Sequence, residues 1–155
     1  MAVNLRSLIS KLNDTSVIAT ETAAGLAKSQ SHKEVDVEHL LLELFKIKGT
    51  DVQLICEFFG LRVEYVIEKL NIAVLNLTKS SSKVPVLSVS LINLIELSWV
   101  VSSVDFSSPK IRSGHILVAL FRDSYLFNIF SQRIEELPKI EINQLSTQFG
   151  DITRG

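Results

Sequence analysis

Two short stretches of this chain carry one pattern at an offset of 76 residues, and no other feature limits the fold as strongly. Residues 35–45 read Val-Asp-Val-Glu-His-Leu-Leu-Leu-Glu-Leu-Phe, and residues 111–121 read Ile-Arg-Ser-Gly-His-Ile-Leu-Val-Ala-Leu-Phe. His39/His115, Leu41/Leu117, Leu44/Leu120 and Phe45/Phe121 are identical, and pairs 35/111, 40/116 and 42/118 exchange one aliphatic residue for another. A match at fixed offset implies one helical unit used twice. Neither copy can bury its apolar side alone, so the two pack on each other or on shared helices.

The chain has 155 residues, one domain's worth, and is 46% hydrophobic, enough to build a core. Its formal net charge of −1 gives no electrostatic case for nucleic acid or an anionic membrane, both of which want a basic excess. The single Cys56 excludes an internal disulfide framework and fits a reducing compartment. Residues 1–14 lack the apolar run of a signal peptide. The most apolar stretch, 91–104, is broken by Asn93, Glu96 and several serines, too short and too polar to span a bilayer.

Spacings of three and four predict helices along the whole chain. Leu5, Leu8, Ile9 and Leu12 define a leading amphipathic helix over 3–12, stopped by Asn13-Asp14-Thr15. A first repeat over 13–77 then holds four helices, at 15–29, 37–46, 51–59 and 62–76. Asp36 caps the second, and Gly60 suits the position just past the third. The alanines of 15–29 imply close approach to a neighbour. Residues 78–87, with three consecutive serines, read as a linker. A second repeat over 88–148 holds helices at about 88–104, 112–122, 124–136 and 139–148. The first of these is apolar nearly all round and is expected to be the most buried. Residues 150–155 read as a frayed end. The fold class is therefore all-α: two pseudo-symmetric four-helix repeats plus one extra N-terminal helix.

Catalytic signatures are missing from the sequence. There is no Walker-type phosphate loop, no His-Glu-x-x-His and no Cys-x-x-Cys. His39 and His115 hold equivalent positions, and a symmetric metal pair is conceivable. No third or fourth ligand can be named, so each is expected to cap its own helix start, and no metal is assigned. Cys56 lies on an apolar helix face and reads as a buried thiol. Asp123, Glu135 and Glu136 read as solvated helix ends. The chain is not expected to be an enzyme by itself.

The segment Val37-Glu38-His39-Leu40-Leu41-Leu42 resembles the Glu-His-Leu-Leu signature of the Clp N-terminal repeat. The likeness covers residues 13–148, with Gly114-His115-Ile116-Leu117 as a divergent second copy. The leading helix, Leu8-Ile9-Ser10-Lys11-Leu12-Asn13, Ser29-Gln30 and Arg112-Ser113-Gly114 look like the ClpV subgroup of the Clp/Hsp100 unfoldases. That resemblance implies a bacterial cytoplasmic protein, a hexameric parent whose ATPase rings use ATP and Mg, and no cofactor in this chain. It further implies a partner: an N-terminal amphipathic helix of the type VI secretion sheath subunit VipB (TssC), with neither nucleic acid nor membrane involved.

By the same resemblance, the peptide-binding groove is expected between the 3–12 helix and repeat one, beside the linker exit. Its candidate walls are Leu5, Leu8, Ile9 and Leu12, with Val86, Leu87 and Ser88 from the second repeat's lead-in. For Leu8 and Leu12 a core role and a groove role stay open together. The other reading is a Clp-N domain of ClpA, ClpB or ClpC type, receiving adaptors or unfolded chain.

Overall fold

The computed structural model describes residues 4–80 and 84–154. Val3 of the leading helix, Ser81, Ser82 and Lys83 of the linker, and Gly155 lie outside the described residues. Among the described residues the chain forms ten α-helices and one parallel pair of two-residue strands. Helix α1 (Leu5–Ile9) leads. Repeat one follows as α2 (Asp14–Ser29), α3 (Val37–Lys46), α4 (Asp51–Phe59) and α5 (Val63–Leu75). Repeat two is α6 (Val89–Val100), α7 (Ser113–Arg122), α8 (Ser124–Arg133) and α9 (Ile142–Thr147), and α10 (Phe149–Ile152) closes the chain.

The duplicated segments are the two central helices. Every residue of α3 from Val37 to Phe45 is buried, as is every residue of α7 from Ser113 to Leu120. Helix α3 is packed by α2 and α5, and α7 by α6, α4 and α8. The contact of α2 with α3 runs over Ala19, Ala23 and Ala27, all fully buried, where the missing side-chain bulk permits close approach. Each buried Leu or Phe in such a helix contributes about 1.5–3 kcal/mol of transfer free energy. Helix α4 ends where Gly60 takes φ +73, a left-handed conformation that only glycine adopts at no steric cost.

The repeats are stitched together reciprocally. Strand β1 (Glu34–Val35), just before α3, pairs in parallel with β2 (Val86–Leu87), just before α6. Leu12, just before α2, bridges in parallel to Ile111, just before α7. The Asn13 N–H donates to the Ile111 carbonyl at 2.9 Å, and the Ser88 N–H to the Val35 carbonyl at 2.9 Å. Each repeat's lead-in is thus held by the other repeat. Asn13 then caps α2 at Ser16, and Ser88 caps α6 at Leu91.

Several expectations are corrected. The leading helix is a single short element, Leu5–Ile9, and Lys11 and Leu12 are already engaged with Ile111. Helix α6 is not the most buried: Val89 and Val100 are exposed, whereas α3 and α7 are buried along nearly their whole length. Glu141 accepts from the Asn143 and Gln144 N–H groups and so delays the start of α9 to Ile142. Pro138 sits in a 3-10 turn, Leu137–Lys139, between α8 and α9. The C-terminal end is not frayed, since Phe149, Ile152 and Thr153 are buried.

Candidate peptide-binding groove

Helix α1 lies against α6, in repeat two, and not against repeat one as expected from sequence. The physical reason is the Leu12–Ile111 bridge, which fixes the exit of α1 beside the second repeat. Asn4 caps α1 through the Ser7 N–H at 3.1 Å. Leu8 is buried, Ile9 is half-buried and packs on the core, and Leu5 remains 37% exposed. Between α1 and α6 runs an open groove of about 200 Å³, lined by Asn4, Ser7, Leu8, Lys11 and Trp99. The Lys11 ammonium stands 4.9 Å from the centroid of the Trp99 ring. Ile92, Glu96 and Trp99 are all half-buried and share one side of α6 at spacings of three and four.

The structure gathers Leu5, Leu8 and Ile9 on α1 and buries Leu12 in the core just beyond it. It does not bring Val86, Leu87 and Ser88 to the same place. These precede the first residue of α6, whereas Trp99 lies near its last, so roughly 16 Å of helix separates them at about 1.5 Å per residue. Val86 is exposed, Leu87 half-buried and Ser88 buried. The Ser88 hydroxyl donates to the Asp36 carboxylate at 2.8 Å, and Asp36 also caps α3. This stretch adjoins a different concavity of about 190 Å³, walled by Val37, Glu38, Ser90, Tyr125, Ile129 and Phe130 among others. Lys11 and Trp99 were absent from the sequence-based site. The one tryptophan of the chain, on a helix whose other apolar residues are aliphatic, is the signal that could have found the groove.

Neither histidine of the repeat is free for chemistry. His39 Nδ1 accepts from the Asp36 N–H at 2.9 Å, and His115 Nδ1 from the Arg112 N–H at 3.0 Å. Each ring closes its helix start from the third helical position, as a Glu or Gln does in a capping box. With Nδ1 accepting, the proton of His39 sits on Nε2 and is donated to His32 Nδ1, 2.9 Å away. Burial pushes His39 down to about 4, aided by His32 and opposed by Asp36. Burial likewise pushes His115 down to about 4, with Asp51 acting to raise it and Arg112 to lower it. Among the described residues no group of three His, Cys, Asp or Glu is placed to hold a metal. Cys56 is buried, and burial pushes its thiol up to about 12.

Glu136 is the carboxylate whose placement was misread. It is buried, not solvated, and accepts from the Arg62 N–H at 2.8 Å, from the Arg62 guanidinium at 3.1 Å and from Lys139 at 3.1 Å. The Arg62 hydrogen bonds hold it at about 2. It joins repeat one to repeat two. Asp123 is a cap for α8, accepting from the Leu126 N–H at 3.0 Å.

A duplicated four-helix body with a short leading helix, an open apolar groove and its histidines committed to capping defines a helical-repeat docking domain. The chain belongs to the Clp repeat (R) N-terminal domain family, which matches residues 11–132. Its fold is that of the ClpV N-domains. The N-domain of ClpV from Vibrio cholerae superposes with a TM-score of 0.85 at 28% identity, covering 98% of this chain and 90% of that one. A ClpV N-domain in complex with VipB peptide gives 0.82 at 28% identity, over 98% and 92% of the two chains. Among curated proteins, the chaperone ClpB of Yersinia enterocolitica is 27% identical over 154 residues, 99% of this chain and 17% of the relative. The AAA+ ATPase ClpV1 of Pseudomonas aeruginosa is 21% identical over 94% of this chain and 16% of the relative. The chain thus spans about a sixth of the length of the curated relatives it matches. Among the described residues no helix is long and apolar enough to cross a membrane.

Proposed function

We propose that this domain recognises clients for a ClpV-type AAA+ unfoldase, and that the α1/α6 groove receives an amphipathic helix of the sheath subunit VipB (TssC). The observation that carries the reading is the groove itself: Leu8 of α1 on one wall, Trp99 of α6 on the other, and open space between them among the described residues, with Leu5 exposed on the same short helix. A gap between helices with apolar walls is a receptor for an apolar helix face. The kinship with a ClpV N-domain that has been seen holding a VipB peptide supports the same reading. In this proposal the domain takes no cofactor, works in the bacterial cytoplasm, and leaves ATP hydrolysis to the rings of a hexameric parent.

Three or four apolar anchors give about 1.5–3 kcal/mol each of gross burial. Ordering the peptide and losing its free motion removes several kcal/mol of that. The balance is a dissociation constant of roughly micromolar order. Weak single sites suit a ring, where several domains on one sheath raise the apparent affinity.

The sole tryptophan lies in the groove, so its fluorescence reports occupancy directly. A synthetic peptide of the VipB N-terminal helix should shift Trp99 emission and saturate at micromolar concentration. Leu5→Gln and Leu8→Gln should weaken binding about tenfold by calorimetry, consistent with the loss of one apolar anchor. Leu87→Gln should not, because it precedes α6 at the end far from Trp99. No binding by the wild-type domain overturns the proposal. The second reading, a ClpB-type receptor for unfolded chain, has the 27% identity to ClpB on its side. Deleting residues 1–12 separates the two, since only the first needs α1.

A further inference from the structure

The groove between α1 and α6 carries a charge that its apolar lining does not require. Helix α1 contributes Arg6 and no acid in its first turn, and Lys11 follows it. Lys110, from the far repeat, places its ammonium at the C-terminal end of α1 and donates to the Ser10 carbonyl at 2.7 Å. Among the described residues, none of these three cations has a carboxylate partner. Among the other described cations, Lys46, Arg62, Arg112, Arg122, Arg133, Lys139 and Arg154 are ion-paired, and Lys28, Lys33, Lys48, Lys69 and Lys79 are not. What sets α1 apart is that three such cations gather around one short helix, with Glu96 the acid on the Trp99 side of α6, a local surplus in a chain of net charge −1.

Lys11 is the member that matters most. It lines the groove and is already half-buried, with its ammonium over the Trp99 ring. A helix laid in the groove strips water from it further. A cation desolvated with no counter-charge opposes docking, whereas one met by a carboxylate does not.

We propose that the groove selects an amphipathic helix with an acidic flank: apolar residues against Leu5, Leu8 and Trp99, and an Asp or Glu against Lys11 and Lys110. The inference rests on the groove being the docking site. A neutral or basic helix of the same apolar face is rejected by the Lys11 charge it would cover, which is discrimination by repulsion as much as by attraction. The exposed cations, Arg6 and Lys110, act at longer range and chiefly raise the association rate.

Three synthetic helical peptides test it, with one Leu face in common and a flank of Glu, Gln or Lys. Calorimetry against the wild-type domain should rank them Glu, Gln, Lys, with about a thirtyfold span at low salt that narrows at high salt. Lys11→Glu should reverse the order of the Glu and Lys peptides. Lys110→Gln, which removes the charge at an exposed position and keeps a donor for the Ser10 carbonyl, should cut the Glu peptide's affinity about twofold and its salt dependence with it. Equal affinities for the three, or an order untouched by Lys11→Glu, overturn the charge selection while the groove stands. Failure of all three, together with the VipB peptide, overturns the groove as well.

Discussion

The entrance to α3 and the entrance to α7 are the same place in the two repeats, built around equivalent histidines, yet the second helical position carries a carboxylate at one and lies under an aromatic ring at the other. At α3, Glu38 follows the cap, and its carboxylate reaches across to Arg133 of α8 at 3.1 Å. The concavity beside it is walled by Tyr125, Ile129 and Phe130, and Glu38 and Arg133 also border a larger cleft of about 280 Å³ along α5. At α7 the residue in Glu38's place is Gly114. Its N–H donates to Asp51 at 3.3 Å, and Asp51 grips Arg112 through two bonds of 2.9 and 2.6 Å. Phe149 of α10 covers the spot, stacked on His115 and against Phe106. The ring at 149 stands where a side chain at 114 would. A concavity of about 150 Å³ stays beside Arg112, Ser113 and Asp51, so the C-terminal helix covers the second position of α7 and not the whole entrance.

A side chain at position 114 is the largest perturbation. A Cβ at position 114 would stand 2.7 Å from the Phe149 ring and 3.0 Å from Asp51. Gly114→Glu, which restores the repeat-one residue, also sets a second carboxylate against Asp51. We expect a loss of about 3–4 kcal/mol, from overpacking and an unpaired buried charge, despite the better helix propensity of Glu. Phe149→Ala alone should cost about 3 kcal/mol as a cavity. The double variant should cost clearly less than the two together, because the ring and the new side chain compete for one space. Additive losses in chemical denaturation would mean that Phe149 does not occupy the place of the missing Glu.

The asymmetry also marks where sequence reading stops. The paired histidines, the buried run of α3, the alanine face of α2 and the Gly60 terminus were legible because each is a local pattern with its own physical cause. Helix α10 was not. Phe149 and Ile152 are two apolar residues in a polar tail, too few to show a period. The groove was legible only by half. Leu5, Leu8 and Ile9 declare a leading helix, but the surface it rests on is chosen by Leu12 and Ile111, ninety-nine positions apart. The expectation that grouped Leu8 with Leu87 joined two lead-ins that the pseudo-symmetry holds at opposite ends of α6. Glu136 likewise looked like a solvated acid because its partner, Arg62, is 74 residues away.

A next, intermediate effect comes from the two histidines and tests whether the entrances behave alike in solution. Each ring has a folded value of about 4 against 6.5 for an ordinary imidazole. Above pH 6.5 both folded and unfolded chains hold neutral rings, and the stability is fully present. As pH falls from 6.5 toward 4, the unfolded chain takes up protons that the buried rings refuse, so stability declines. At pH 5 the loss is about 2 kcal/mol per histidine. Urea denaturation at pH 7 and pH 5 should show it, and His39→Gln and His115→Gln should each remove about half of the difference. His32, lowered by burial and by Lys79, adds to the His39 side only. His32 stays in both variants, so the residual slopes of His39→Gln and His115→Gln should be alike.

The smallest effect separates the two ion pairs. Asp51 is nearly buried, is held by two guanidinium bonds and accepts a backbone N–H as well. Asp51→Ala should cost about 1.5–2 kcal/mol, since it orphans the Gly114 amide at the start of α7. At the start of α3, Arg133 is 49% exposed and makes a single bond to Glu38, while its guanidinium also leans on Phe130. Burial raises the Glu38 carboxyl, so its charge is held at a cost that Arg133 only partly offsets. Glu38→Gln keeps the shape and removes that cost, and should change stability by about 0.5 kcal/mol or less in either direction. A loss at Glu38 as large as at Asp51 would mean that the start of α3 is held as firmly as the start of α7. The two repeats would then differ in the partners at that position and not in how firmly it is held.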